Sequence, residues 1–403
     1  MAAVPLSVLD LVPITSGSTA ADAVRNTIDL ARRAEGFGYK RYWFAEHHLN
    51  PGVAGTSPPV LLALTASATS RIRVGSGGMQ MGHRTALSVV EEFGLLDAVH
   101  PGRLDLGLGR SGGRHFTPGL GGPPVQAELV PPLQPELVPP LRPELVKVGA
   151  AEAAPGNGRD AVKNGLVIPA RVSLEGMVNS PRFALNKRLL QQPGAETPGY
   201  GEQVKEILAL LDGSYRSPEG LEPSVVPGRG ANVQLWVLGS SAGESASVAG
   251  ELGLPFAANY HVSPATVIEA TTAYRAAFRP SPGHDRPYVI VSADVVVAEN
   301  DSTARDLAAG YGNWVLSIRS GAGAMEFPSQ SEAESHQWSE AERALVQDRV
   351  DTQFVGSPGT VARRLQQLQE ATDADELLVT TITHQHADRV RSYELLADAW
   401  ARW

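Results

Sequence analysis

The feature that most constrains the fold of this chain is a regular alternation of short apolar runs with longer segments of helical spacing. Eight runs rich in Val, Ile, Leu or aromatic residues are typical of strands: Pro5–Ile14, Arg41–Glu46, Ile72–Met81, Leu104–Leu108, Val233–Leu238, Phe256–His261, Tyr288–Ala298 and Glu376–Thr383. Nine segments between and after them predict helices: Thr19–Glu35, Val60–Thr69, Ala86–Val99, Gly201–Leu211, Ala242–Glu251, Pro264–Phe278, Ser302–Ile318, Pro358–Glu370 and Asp388–Trp403. Several runs are apolar on both faces, as in strands lying between helices and a packed barrel interior. The pattern predicts an α/β fold built on a parallel barrel.

The length fits one elaborated barrel domain over residues 1–403, because such a barrel needs about 250 residues and the rest can form insertions. The alternation stops at about 112–199 and at 320–339, which we interpret as insertions. The first contains a proline-rich repeat, Glu128–Val146, which cannot form a helix or a central strand. The stretch Asn164–Gln192, with Met177 and Phe183, is expected to cover a ligand as a lid.

Composition excludes several classes of protein. The chain has no cysteine, which rules out disulfides, thiolate metal sites and a cysteine nucleophile. Its net charge of -9 comes with no basic block, which argues against nucleic acid as a partner. No run reaches the roughly 18 apolar residues of a membrane helix, and the first residues do not resemble a signal peptide. We therefore expect a soluble, cytoplasmic protein.

Two histidines follow the second strand, at His47 and His48. Neighbouring side chains on a strand point to opposite faces, so the two cannot both enter one pocket. With His384 and His386 as the only other histidine cluster, no metal site is predicted. A histidine at a strand end can instead donate, accept or orient protons near neutral pH, and His47 is the candidate.

Glycines mark the ends of the third and fourth strands. Gly75, Gly77 and Gly78 allow a ligand or another backbone to approach closely, and a flat ring could lie there. The later series Gly107-x-Gly109-x-x-Gly112 matches a dinucleotide fingerprint formally, but no helix follows it, so that interpretation fails. What remains is Arg110 at a strand end, where a guanidinium suits a phosphate or a carboxylate.

The fifth strand supplies a second group of anion-binding atoms. It ends in Gly239-Ser240-Ser241 and is followed by a predicted helix. Hydroxyls and backbone N–H groups at a helix N-terminus bind phosphate. We expect this turn and Arg110 to share one anion.

As an ordered set, the motifs of this chain resemble those of the bacterial luciferase-like family of flavin-dependent oxidoreductases. The matching residues span the barrel apart from the two insertions: Trp43–His48, Val74–Gly78, Glu91–Asp97, His100–Arg103, Leu106–Arg110, Leu238–Ser241, Glu251–Ala257, Val355–Pro358 and Glu376–Val379. The resemblance implies a (β/α)8 TIM barrel with the proline-rich insertion after strand 4 and the second insertion after helix 7.

The resemblance also implies a cofactor and its binding residues. Reduced FMN would be held through its phosphate by Arg110 and Gly239-Ser240-Ser241. Its ring would lie over a non-proline cis peptide at Gly77-Gly78, next to Met79, and a bulkier residue at Gly78 is expected to damage flavin binding more than folding. His47 would serve as an acid–base or orienting group. Luciferase itself has a reactive cysteine where this chain has Gly109, so aldehyde-dependent light emission is not expected.

The implied reaction is a two-component monooxygenation. A separate flavin reductase supplies FMNH2, O2 adds to give a flavin C4a-peroxide, and a small organic substrate is oxygenated. Trp43, Met79, His83 and Phe183 are the expected pocket residues, and a homodimer is the expected assembly. Two other functions fit the same motifs: hydride transfer with a deazaflavin, and flavin binding by a non-catalytic barrel.

Overall fold

The centre of the structure, a computed structural model that describes residues 3–110, 161–173 and 179–402, is a closed barrel of eight parallel strands. The strands are β1 (Leu6–Asp10), β2 (Arg41–Phe44), β3 (Arg73–Ser76), β4 (Leu104–Gly109), β5 (Val233–Gly239), β6 (Phe256–Asn259), β7 (Val289–Val297) and β8 (Glu376–Thr380). Each pairs with the next in sequence, and β8 pairs with β1 to close the ring. This confirms the predicted barrel and all eight predicted strands.

Thirteen helices are present in the described part of the chain. They are α1 (Ala20–Phe37), α2 (Pro58–Ala68), α3 (Ala86–Val99), α4 (Pro181–Leu190), α5 (Tyr200–Asp212), α6 (Glu244–Glu251), α7 (Val267–Ala277), α8 (Asp301–Leu307), α9 (Tyr311–Arg319), α10 (Gln330–Ser335), α11 (Glu340–Thr352), α12 (Pro358–Thr372) and α13 (His386–Trp400). The single helix predicted over Ser302–Ile318 is two helices, because the chain turns at Gly310, which packs against Pro328.

Both insertions leave the barrel at the carboxyl ends of strands. Within the first, the structure shows a hairpin of Ala161–Lys163 with Leu166–Ile168, followed by α4. The repeat Glu128–Val146 and Met177 lie outside the described residues. The second insertion lies between β7 and α12, the helix that leads into β8. It contains α10, and α11 follows directly after it.

A charged network fills the amino end of the barrel. Arg41 Nη1 lies 2.8 Å from Asp105 Oδ2, and Arg41 Nε lies 3.0 Å from Glu376 Oε1, with all three side chains buried. Directly above it, the Trp43 indole donates to Asp105 Oδ2 at 2.9 Å and meets Trp236 edge to face, with ring centroids 5.2 Å apart. Because this end is plugged, a ligand has room only at the carboxyl end, as in other barrels of this type.

The helices cover the barrel with apolar faces, but α2 and α3 are apolar on their outer sides as well. Five of their large hydrophobic residues are exposed: Val60, Leu64, Leu87, Leu95 and Val99. Along the part of the chain that the structure describes, none of the helices is long and apolar enough to cross a bilayer.

Candidate active site

Glycines make the contact between β3 and β4 unusually close. A Cβ atom on Gly75 would lie 2.5 Å from the Asp105 carbonyl oxygen, and one on Gly78 would lie 2.8 Å from the Gly107 carbonyl oxygen. The Gly77-Gly78 peptide is cis, as the family resemblance implies. At Gly109 the situation differs, because the atom nearest to an added Cβ would be the Met79 carbonyl oxygen at an ordinary 3.5 Å. Neighbouring backbone therefore requires Gly75 and Gly78, whereas Gly109 leaves room for a Cβ atom among the described residues at the carboxyl end of the barrel.

The predicted anion-binding groups lie together beside Gly109. Gly109 pairs with Leu238 across β4 and β5, so Arg110 and Gly239 follow at adjacent strand ends. The Arg110 side chain is about half exposed, and Ser240 and Ser241 are exposed. These groups could hold a phosphate, since one guanidinium and two exposed hydroxyls lie beside the N-terminus of α6.

The Arg110 guanidinium forms an ion pair with one carboxylate. Glu244, the first residue of α6, places Oε2 3.2 Å from Arg110 Nη1. A phosphate bound here would replace Glu244 as the partner of Arg110. The pair is largely solvent-exposed, so little interaction energy opposes the exchange.

A buried carboxylate organises the loop after β3. Glu46, which is 3% exposed, accepts hydrogen bonds from His48 Nε2 at 3.0 Å, from His83 Nε2 at 3.2 Å and from the Gln80 backbone N–H at 2.8 Å. Burial alone would raise the pKa of Glu46, but these bonds and the charge of Arg84 outweigh it and lower the pKa to about 2. Glu46 is therefore ionised at neutral pH.

Glu46, His48 and His83 place ligand-type atoms within 4.8 Å of one another, close enough to surround a metal ion. The Arg84 guanidinium, however, lies 3.2 Å from the same Glu46 oxygen that both histidines contact. His83 Nδ1 is also buried without a partner among the described residues, whereas a metal-bound histidine normally donates its second N–H. The arrangement is that of an ion-paired cluster in which His83 Nε2 is held by Glu46.

His47 follows β2 and lies at the mouth of the barrel. Its backbone N–H donates to the Gly55 carbonyl oxygen at 2.8 Å, and its Nδ1 atom is buried without a partner in the part of the chain that the structure describes. Burial, and to a lesser degree the neighbouring His48, lower the pKa of His47 to about 4. The ring is therefore neutral at pH 7 and can exchange a proton only through a strongly acidic or ligand-assisted step.

The structure adds a second histidine that was not predicted from the sequence. His261 follows β6, and its Nδ1 lies 2.5 Å from Ser292 Oγ on β7. Burial lowers the pKa of His261 to about 3, and the charges of Arg349 and His47 act in the same direction. His47 and His261 thus follow β2 and β6, both at the carboxyl end of the barrel.

Three buried polar residues form a hydrogen-bonded group that includes Arg349. Arg349 on α11 donates to Asp294 Oδ2 at 3.1 Å and to Tyr311 Oη at 2.8 Å, and Tyr311 in turn donates to Asp294. Burial raises the pKa of Asp294 despite the charge of Arg349. The segment between β7 and α12 therefore contributes charge to the site, through residues that were not predicted.

Two predicted pocket residues lie elsewhere. Trp43 is fully buried beneath the mouth, where its indole is bonded to Asp105, so it cannot contact a substrate directly. Met79 is also fully buried, and it belongs to the hydrophobic cluster between the barrel and the helices. A flavin ring could therefore contact only the backbone of Met79. The period of two along β2 correctly puts Trp43 inside the barrel, but it does not reveal how deep.

Phe183 lies on α4 and is 44% exposed, outside both hydrophobic core clusters. The segment around it is nevertheless attached at the carboxyl end of the barrel. Gln191 and Thr197 both donate to the Gly82 carbonyl oxygen, at 2.9 and 3.0 Å, and Arg182 donates to Ala322 in the second insertion. The segment thus lies next to His83, where a lid is expected, although Phe183 does not line a closed pocket.

Comparison with known proteins agrees with this geometry. The family model for luciferase-like monooxygenases matches residues 4–128 and 192–375. A luciferase-like monooxygenase of Escherichia coli strain K12 is 30% identical over 396 residues, 98% of this chain and 96% of the relative. The solved structure of apo-MsnO8 is 30% identical, covers 99% of this chain and 98% of its own, and superposes with a TM-score of 0.72.

More distant structures share only the fold, and they differ in cofactor. The oxygenating constituent of 3,6-diketocamphane monooxygenase, solved in complex with FMN, is 17% identical with a TM-score of 0.61 and covers 99% of both chains. An F420-dependent secondary alcohol dehydrogenase is 12% identical with a TM-score of 0.57, again over 99% of both chains. The sequence match, the barrel and the arrangement of its strand ends lead to one conclusion: the chain belongs to the luciferase-like monooxygenase family.

Proposed function

We propose that this protein is an FMNH2- and O2-dependent monooxygenase of a small organic substrate, with the reduced flavin supplied by a separate reductase. The observation that supports the proposal is the position of the candidate anion-binding groups Arg110, Ser240 and Ser241 at adjacent strand ends, beside Gly109, where the described residues leave room for a Cβ atom. FMN has a phosphate at one end and a ring at the other. The phosphate would bind Arg110 and the two serines, and the ring would lie beside Gly109.

Bound reduced FMN would supply the two electrons with which one atom of O2 enters the substrate and the other leaves as water. The chain's own residues would do the rest. Arg110 and the two serines would hold the phosphate, and His47 would form a hydrogen bond with the ligand. The segment attached at Gly82 would restrict the access of water to the site. The apolar layer of Trp43 and Trp236 underlies this space.

The first test concerns the phosphate. Arg110→Ala removes a charge-assisted contact, so we expect FMN affinity to fall by more than about tenfold in a fluorescence titration. Arg286→Ala is the matched control, because Arg286 is likewise exposed and paired, with Asp375 at the amino end of the barrel. Equal affinities of the two variants would contradict the assignment of Arg110.

The second test concerns the reaction. Photoreduced FMN and 18O2 are supplied together with a panel of candidate substrates, and we expect products that carry one 18O atom by mass spectrometry. Binding and hydride transfer with the deazaflavin but not with FMN would instead establish the deazaflavin function. Flavin binding without product or substrate-dependent oxygen uptake across the panel would favour the non-catalytic barrel.

The exposed apolar faces of α2 and α3 support a homodimer as part of this proposal. Leu95 is 60% exposed and Val99 is 70% exposed on α3, and Val60 is 60% exposed on α2. Exposed large apolar residues on two neighbouring helices of a folded protein are typical of an interface. A second copy of the chain would bury them in an isologous contact.

A further inference from the structure

His261 is fixed in one orientation by a buried hydroxyl. Ser292 on β7 is 1% exposed, and its Oγ lies 2.5 Å from His261 Nδ1 and 3.3 Å from the Ala258 carbonyl oxygen. Ser292 therefore bridges the imidazole and the backbone of β6. A ring held in this way can present only its other nitrogen, Nε2, to a ligand.

We infer the position of the imidazole proton from the same bridge. The Ser292 hydroxyl has one proton, and we assign it to the Ala258 carbonyl oxygen at 3.3 Å, which only accepts; donation to His261 Nδ1 at 2.5 Å would instead place the imidazole proton on Nε2, and the tautomer measurement below distinguishes the two. Ser292 Oγ can then only accept from His261, which requires the proton on Nδ1. A neutral imidazole has one N–H, so His261 Nε2 is left as an acceptor.

His47 has the opposite arrangement. Its Nδ1 is buried and has no partner among the described residues. Buried N–H groups without an acceptor are rare, because they lose their bond to water and gain nothing, so the proton belongs on Nε2. Neither Nε2 atom has a partner in the described part of the chain, and both rings follow strands at the carboxyl end of the barrel, where a ligand would bind.

We propose that His261 is a second active-site residue, whose Nε2 accepts a hydrogen bond from a bound ligand while His47 Nε2–H donates one. The matching ligand chemistry is an N–H or O–H donor close to an acceptor, as in a flavin imide or a substrate amide. This assignment rests on the proposed function and extends it, because it places the ligand at the same mouth.

Burial and charge both favour the neutral form of His261. Ser292 on β7 contacts the ring, and Arg349 on α11 and His47 after β2 lower its pKa in addition to burial. Arg349 is in turn bonded to Asp294 on β7 and Tyr311 on α9. Arg349 and a protonated His47 would both repel an imidazolium at this position. A neutral acceptor is therefore maintained over the physiological pH range.

The tautomers can be tested without any flavin. In protein labelled with 15N-histidine, long-range 1H–15N correlation at pH 7 should show His261 protonated on Nδ1 and His47 protonated on Nε2, with signals assigned through His261→Gln and His47→Gln. Ser292→Ala should convert His261 toward the other tautomer. Thr380→Val is the matched control, because Thr380 Oγ1 is also buried at this end but has no partner among the described residues. A wild-type His261 protonated on Nε2, or one unmoved by Ser292→Ala, would overturn the proposal.

Ligand contact is tested with His261→Phe, which keeps a ring but loses the acceptor, against His261→Gln, which can restore one. Loss of one neutral hydrogen bond should lower FMN affinity or kcat/KM by about three- to tenfold in the Phe variant, with recovery in the Gln variant. A change in affinity identifies the flavin as the donor, and a change in kcat/KM alone identifies the substrate. Wild-type values of both for the Phe variant would refute the contact. If wild-type protein binds no flavin, the proposed function fails while the tautomer result stands.

Discussion

At the scale of single residues, two different physical reasons explain the glycines at the strand ends. Gly78 is required by the backbone of β4, because any Cβ would lie 2.8 Å from the Gly107 carbonyl oxygen. Gly109 has no such neighbour and borders the candidate flavin space. The sequence shows both simply as glycine. The structure adds that a bulkier residue at Gly78 must displace the backbone of β4, whereas the expectation that it would damage flavin binding more than folding stays a prediction.

The two positions should therefore respond differently to the same change. Gly78→Val should lower the free energy of unfolding by about 1–3 kcal/mol or more through overpacking. Gly109→Val should keep the fold but obstruct the ring, lowering FMN affinity. Urea denaturation and FMN titration of both variants separate the effects. A destabilised Gly109→Val with normal FMN affinity would show that the space at Gly109 is not used by flavin.

Substitution of Glu244 is expected to raise FMN affinity, whereas Arg110→Ala is expected to lower it. Glu244→Gln removes the carboxylate that competes with a phosphate for Arg110, at a contact of 3.2 Å. We expect FMN affinity to rise, by about two- to tenfold at low salt, and less at high salt because the pair is exposed. A titration at two ionic strengths checks this. Unchanged or weaker binding would mean that the phosphate lies away from Arg110.

Residue by residue, part of the site could be located from the sequence. His47 and Arg110 were predictable because they stand at strand ends, and strand ends of a parallel barrel converge. His261 was within reach too, since it closes the predicted run Phe256–His261 and shares a face with Ala257 and Asn259. Arg349 was not, because its place depends on how an insertion folds over the barrel, which no local pattern encodes.

At the scale of elements, two helices that were not predicted, α10 and α11, begin with capping residues that a search for apolar periodicity does not detect. α10 and α11 are mostly polar and bury few residues. Each nevertheless begins with a capping box, Ser329 with Glu332 and Ser339 with Glu342, which satisfies two free backbone N–H groups. The spacing Ser-x-x-Glu is visible in the sequence and would have predicted both starting points.

The α2 and α3 helices show the reverse case, in which apolar residues exceed what the core needs. Leu95→Glu should convert a homodimer to a monomer, because it places a charge within the proposed interface. Sedimentation equilibrium at micromolar concentration measures the mass of each form. Leu189→Glu is the control, since Leu189 is equally exposed on α4. A wild-type monomer, or a dimer that survives Leu95→Glu, would contradict this interface.

At the scale of the whole molecule, the two neutral histidines couple stability to pH. The folded pKa values of about 4 for His47 and about 3 for His261 lie below the unfolded value of about 6.5. The unfolded chain therefore binds more protons than the folded one below pH 6.5. Stability that is complete above pH 6.5 is lost as the pH falls toward 4.

Each group contributes up to about 1.4 kcal/mol per pH unit in that window, so the pair contributes about 2.7 kcal/mol per unit. The double variant His47→Gln, His261→Gln should flatten the decline in unfolding free energy between pH 6.5 and 5. Urea denaturation across this range measures it, with His336→Gln as the control in the second insertion. An unchanged slope in the double variant would show that neither imidazole is held neutral by the fold.

The charged plug at the amino end of the barrel also has a kinetic consequence. Since Arg41, Asp105 and Glu376 fill that end, the ligands of the proposed function would enter and leave at the carboxyl end. A flavin that lay deeper than the substrate would bind first and dissociate last, and the product would leave before the oxidised flavin is exchanged. Turnover should therefore follow a compulsory order, in which excess substrate traps the flavin and slows the cycle.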